Sequence, residues 1–168
     1  VPGKGTRAEI RLPLTLAILA TLLVEAGPTT LAVPLDRVER TLQLDELSVH
    51  DPGGMPMLLL LTDGSLPLRA LAAELGHPAG SPAHAVVVRG GGKRFALAVD
   101  RLVGPRKLVA RPLPPGIGES SLSTGGAVLP NGEIVLILDC DGLAVRRPHR
   151  VPAGAAQLDP AGVTTPVG

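Results

Sequence analysis

The side chains able to do chemistry are few and scattered along the chain. His50, His77, His84 and His149 stand in segments that read as loops or linkers, and none has the helical pairing that a zinc site needs. A phosphoacceptor histidine belongs on an exposed helical face, and none of the four falls on a helical pattern. Ser120, Ser121 and Ser123 lie in a glycine-rich stretch without the strand-to-helix elbow that exposes a nucleophile. Gly3-Lys4-Gly5-Thr6 resembles the end of a phosphate-binding loop but lacks the upstream glycine and the following helix. Gly90 to Gly92 reads as a turn rather than a phosphate cradle. Asp139 and Asp141 flank Cys140, and this spacing fits the end of a strand and the start of a short helix better than a ligand set. No catalytic, cofactor-binding or metal-binding constellation emerges, so the chemistry expected is binding.

Composition narrows what could be bound. The 168 residues carry 16 Lys and Arg against 15 Asp and Glu, and Phe95 is the sole aromatic. Nucleic-acid binding needs clustered cations and aromatic platforms, so it is not expected. Arg146, Arg147 and Arg150 read as a solvated tail. One cysteine cannot form an internal disulfide, which fits a reducing cytoplasm. The uncharged run from Leu12 to Val24 is shorter than the roughly twenty residues of a membrane span. It does suit a secretory signal, because Lys4, Arg7 and Arg11 precede it. Pro13, Glu9 and the lack of a clean small-x-small cleavage site oppose that reading.

The elements that must position any binding surface read as strands. The 21 Gly and 18 Pro would suit disorder, but 45% of the residues are hydrophobic, which is enough to fill a core. Thr6 to Leu12 alternates, and Leu14 to Leu23 reads as part helix and part strand. Gly27-Pro28 turns Leu22–Glu25 back on Thr29–Val33. Arg37–Leu44, Met57–Leu61 and Ser65–Leu68 read as strands, and Arg69–Leu75 as a short helix ended by Gly76. His77 to Pro82 reads as a linker and internal boundary. Ala85–Arg89 and Arg94–Asp100 form a hairpin about Gly90–Lys93. Lys107–Arg111 is a further strand, Gly116–Gly126 a loop, and Val128-Leu129 pairs with Glu133–Asp139 about Pro130-Asn131-Gly132. Roughly nine or ten strands with little helix predict a mainly β protein of small barrels or sandwiches, with a disordered tail from Arg146.

Three stretches together resemble the CheW-like regulatory domain of CheA-type chemotaxis histidine kinases. The first is Gly3-Lys4-Gly5-Thr6 followed by Leu12-Pro13-Leu14-Thr15-Leu16-Ala17-Ile18, similar to the junction between ATP-binding and regulatory domains. The second is Val33-Pro34-Leu35 to Val38-Glu39, with Asp63-Gly64-Ser65-Leu66-Pro67-Leu68. The third runs from Ala98 to Gly104, through Arg111-Pro112-Leu113, to Gly126–Leu129 and Gly132–Asp139. Arg40 stands where the family often has an acid, Asp63 where it often has Arg, and Arg111 where Lys is usual.

The resemblance implies two five-stranded SH3-like barrels in residues 14–145, with a linker near 77–82. Residues 1–13 would be the last strand of an ATP-binding domain plus the junction, and 146–168 a disordered tail. It implies docking to a CheW-type coupling protein and to the cytoplasmic tip of a chemoreceptor, without nucleic acid or membrane insertion. No cofactor is expected in this chain, since ATP and Mg would belong to the kinase domain. The chain alone would not be an enzyme. Val38, Arg40, Leu66 and Leu68 are the candidate partner contacts, with ordinary interior packing as the competing reading. A freestanding CheW-like scaffold is the alternative within the same class. A secreted all-β enzyme or binding protein is the alternative from another class.

Overall fold

The computed structural model describes residues 18–44, 48–51, 53, 55–60, 64–78, 80–113 and 122–147. The expected strand at Thr6–Leu12 and the tail beyond Arg147 lie outside them. The described chain is mainly β, in two sheets. β1 (Ile18–Ala26) and β2 (Thr29–Pro34) form the expected hairpin, with Gly27 at φ 58° in its turn. A 3-10 turn (Leu35–Arg37) then carries the chain to β3 (Val38–Gln43), β4 (Ser48–His50), β5 (Met57–Leu60) and β6 (Gly64–Ala70). Helix α1 (Leu71–Glu74) follows, then β7 (His84–Gly90), β8 (Lys93–Val99) and β9 (Arg101–Val109). β10 (Ser123–Val128), β11 (Ile134–Leu138) and helix α2 (Cys140–Val145) complete the described chain. The smaller sheet has the order β10-β11-β2-β1-β9 and the larger β3-β7-β8-β6-β5-β4.

Alternation on strands explains how so aliphatic a chain fills its interior. On β1, Leu22, Val24 and Ala26 point one way and Leu23 the other. On β7 and β8, Val86, Val88, Phe95, Leu97 and Val99 oppose Ala85, Val87, Ala96 and Ala98 in the same manner. Three apolar layers result. One is shared between the sheets, and one lies on the far side of each. A strand buried on both faces reads as a continuous apolar run. Of Leu14–Leu23, expected as part helix and part strand, Ile18 to Leu23 is strand in β1, and residues 14–17 lie outside the described ones; hydropathy alone cannot separate the two.

Other expectations shift for similar reasons. The helix expected over Arg69–Leu75 shortens to Leu71–Glu74, because Arg69 and Ala70 pair in parallel with Leu97 and Ala98. Ser123 to Gly126, expected as loop, is strand paired with β11. β9 begins at Arg101, well before Lys107, and bulges at Val103, just before Gly104-Pro105. Proline is tolerated there because β9 ends the sheet and needs no donor on its outer side. His50 lies in β4 and His84 in β7, not in loops. The hairpin about Gly91 and Gly92 is as expected, with φ of 54° and 72°.

The sheets are not the closed five-stranded barrels expected. The larger has six strands, with β3 and β4 at its ends. The smaller comes nearest to closure, through one bridge in which Arg111 and Gly126 exchange backbone hydrogen bonds of 2.9 and 3.0 Å. Gly126 makes this approach feasible: a Cβ there would lie 2.6 Å from Leu113 Cδ2. The chain crosses between sheets at the 3-10 turn and again at Asp100. The 77–82 stretch, expected as the internal boundary, joins α1 to β7 within the larger sheet's run of chain.

Candidate docking surface

The four candidate contact residues do not share one face. Leu66 and Leu68 are each 7% exposed and pack with Leu58, Leu60, Val87 and Ala96 inside the larger sheet's own layer. They hold the sheet together, as the competing reading had it. Val38 is half-buried against the shared layer. Arg40 is half-buried on the same strand, paired with Val87 beyond a bulge. Val38 and Arg40 therefore lie on β3, whose other long side pairs with no strand among the described residues. Thr41 and Gln43 alternate to the exposed side of this strand. An outer strand of this kind presents unpaired backbone donors and acceptors that an extended partner can use.

A charge network braces β3 against the sheet. The Glu39 carboxylate accepts from Arg94 Nε at 3.0 Å and Nη2 at 2.8 Å, and pairs also with Arg89. Hydrogen bonds from Arg94 and then Arg89 hold the Glu39 carboxyl below its ordinary range. Arg89 and Arg94 face each other across β7 and β8, so like charges that would repel are joined through one acid. The smaller sheet has a counterpart: Glu25 of β1 pairs with Arg101 of β9, and that hydrogen bond lowers the Glu25 carboxyl. Sequence reasoning missed both networks, since each joins strands far apart in the chain, β3 to β7 and β8 and β1 to β9, whose pairing no local turn announces.

The junction between the sheets is polar and tightly joined. Asp141 accepts from Arg37 in a two-pronged pair, at 3.1 and 2.8 Å, and from Gly91 N at 2.7 Å. Asp139 caps α2 by accepting from Gly142 N at 2.9 Å, as its position after a strand suggested. Asp100 accepts from Gly27 N at 2.6 Å, and Thr29 Oγ1 lies 2.9 Å from His77 Nε2. These groups therefore serve the joint. Cys140 is buried, and burial pushes its thiol up to about 12, which removes the thiolate a nucleophile needs. Ser123 lies in β10, and no group of three or more His, Cys, Asp or Glu is placed to hold a metal among the described residues.

A second feature is a groove of about 350 Å³ at the end of the smaller sheet. Leu23, Val103, Leu129 and Pro130 line it, with Arg106 and Glu133 at its polar side. Val128 and Ile134 form a cross-strand pair in the same hairpin, 60% and 58% exposed, so apolar surface also faces solvent there. No described helix is long and apolar enough to cross a membrane.

Comparison with known proteins places this arrangement. The family model for the CheW-like domain matches residues 20–147. The chemotaxis protein CheA of Rhizobium meliloti (strain 1021) is 32% identical over 148 residues, covering 84% of this chain and 19% of that protein. CheA of Klebsiella aerogenes is 30% identical over 159 residues, covering 92% of this chain and 24% of that protein. The chain thus spans about a fifth to a quarter of these relatives' length. Among solved structures, the scaffolding protein TtCheW from Thermoanaerobacter tengcongensis superposes with a TM-score of 0.67 at 13% identity, over 79% of this chain and 97% of that one. That likeness concerns the fold. With the family model spanning both sheets and α2, the chain belongs to the CheW-like domain family.

Proposed function

We propose that this chain is the regulatory, CheW-like part of a chemotaxis histidine kinase. In this role it docks a CheW-type coupling protein and the cytoplasmic tip of a chemoreceptor, so that receptor state reaches a kinase. It acts in the cytoplasm by binding alone. Catalysis, with ATP and Mg, belongs to other parts of such a kinase. The observation that carries this reading is the extent of the likeness to CheA. It covers 92% of this chain in one relative, beyond the 20–147 stretch that the family model matches. The outer strand β3 supports a docking role, with Val38 and Arg40 contributing contact and Leu66 and Leu68 supporting the sheet from inside. Arg40 stands where relatives of this type often carry an acid, so a matching acid on the partner would restore attraction.

A freestanding coupling protein is the second reading. It is favoured by the superposition on nearly all of a scaffolding protein, 97% of its chain. Calorimetric titration of the chain with its cognate coupling protein tests the docking role shared by both readings. A dissociation constant of about 10 μM or tighter is expected, and no heat at tens of micromolar would contradict it. Activation of a cognate kinase core by this chain in cis, but not in trans, distinguishes the kinase part from the freestanding scaffold.

A further inference from the structure

β6 ends in a cation that its neighbours do not share. Leu66 and Leu68 turn into the larger sheet's own layer, so Arg69 turns the opposite way, and its side chain is only 4% exposed. All three guanidinium nitrogens are engaged. Nε donates to Glu74 Oε1 at 2.9 Å, and Nη2 lies 2.8 Å from the same oxygen. Nη1 donates to the carbonyls of Leu143 at 2.6 Å and Arg146 at 2.9 Å, while Nη2 reaches that of Arg147 at 3.4 Å. These carbonyls lie in the last turn of α2 and just beyond it; that of Leu143 also accepts from Arg146 N at 3.3 Å.

The placement matters because α2 bridges the two sheets. The chain enters it from β11 in the smaller sheet, and the helix packs on β7 and β8 of the larger. Its start is held by Asp141 to Arg37 and Gly91, and its end by Arg69. Glu74 supplies the counter-charge that a buried guanidinium requires. A lysine has neither the fork nor the reach to serve one carboxylate and three carbonyls together.

We infer that Arg69, with Glu74 as its buried counter-charge, is a clasp that fastens the segment after α2 to the larger sheet and so sets where the chain leaves the domain. Arg146 and Arg147 are thereby tied to the sheet that carries β3, although α2 is entered from the other sheet. The clasp does not depend on the partners proposed above.

Trypsin reads the clasp directly, because it cuts after Arg146 but not between Arg147 and Pro148. R69M/E74Q removes both buried charges together and leaves neither unpaired. It is expected to raise cleavage after Arg146 about tenfold or more, and to speed amide exchange at Arg146, while β7 and β8 keep their protection. R69K, which keeps a charge beside Glu74, is the second variant and is expected to show a smaller rise. Unchanged cleavage in both variants would overturn the clasp. So would a rise matched by equal loss of protection in β7 and β8, since that would be loosening of the whole fold.

Discussion

The two sheets are built in opposite ways. The larger takes its six strands from one run of chain, Val38 to Val99, and mostly pairs near neighbours. The smaller joins β1 and β2 to β9, β10 and β11, including a parallel pair that sets Leu31 beside Leu136. Closing that pair requires the whole larger sheet to be looped out, which costs more chain entropy than a hairpin does. Yet the larger sheet cannot stand alone, because Val86, Val88, Phe95, Leu97 and Val99 need the cover of Leu22, Val24, Leu31 and Val33. Local construction and shared burial together make two sheets into one body.

The largest effect is expected where the β7–β8 hairpin of the larger sheet meets α2, which enters from the smaller. A Cβ at Gly90 would lie 2.0 Å from the backbone oxygen of Cys140, so Gly90→Ala must push α2 off β7. It is expected to cost about 4 kcal/mol or to prevent folding, read by chemical denaturation. The matching hairpin of the smaller sheet turns at Gly132, with φ of 85° and nothing within 4 Å of a Cβ. Gly132→Ala there meets only backbone strain and is expected to cost about 1 kcal/mol. Equal costs at the two glycines would break the contrast.

Core truncations come next. Leu97 is fully buried in the shared layer, whereas Leu108 lies in the smaller sheet's own layer at 5% exposure. Leu97→Ala is expected to cost about 3–4 kcal/mol and to lower amide-exchange protection in both sheets. Leu108→Ala is expected to cost about 2 kcal/mol, with the loss of protection concentrated in β1, β9, β10 and β11. Loss confined to the larger sheet in Leu97→Ala would show that the layer is not shared.

How much of this was legible in the sequence follows from the same contrast. Gly-Gly and Asn-Gly turns between alternating residues exposed the β7–β8 and β10–β11 hairpins, because such turns need glycine at positive φ. The β1–β2 hairpin was equally plain. Long-range pairings left no local trace: nothing near Leu31 announces Leu136, and nothing near Arg69 announces the carbonyls after α2. The 77–82 stretch lies between α1 and β7, and its Gly and Pro mark turns within a sheet as readily as boundaries between units. Among the candidate contacts, Leu66 and Leu68 carried the family pattern, but period-two alternation could not say which side of β6 is buried. Val38 and Arg40 could be assigned to an outer strand only after the sheet order was known.

The smallest effects belong to the two charge networks. Glu25 and Glu39 both have carboxyls lowered in the folded state. A lowered carboxyl adds stability that is present above its ordinary titration range and is lost as pH falls through the folded value. Stability should therefore decline on acidification below about pH 5, and more shallowly in E39Q and E25Q than in the parent. Glu39 answers two arginines and Glu25 one, so E39Q is expected to flatten the acid limb more. Thermal melts across pH check this, and a steeper acid limb in either variant would reverse the sign.

The docking proposed above would place a CheW-type coupling protein along β3 of the larger sheet. The direct measurement is the amide spectrum of the isotope-labelled chain, titrated with its cognate CheW-type coupling protein. Docking along β3 predicts perturbations concentrated on β3 and its neighbour β7, with β10 and β11 little changed. No perturbation at saturating partner, or perturbation confined to β10 and β11, would contradict it.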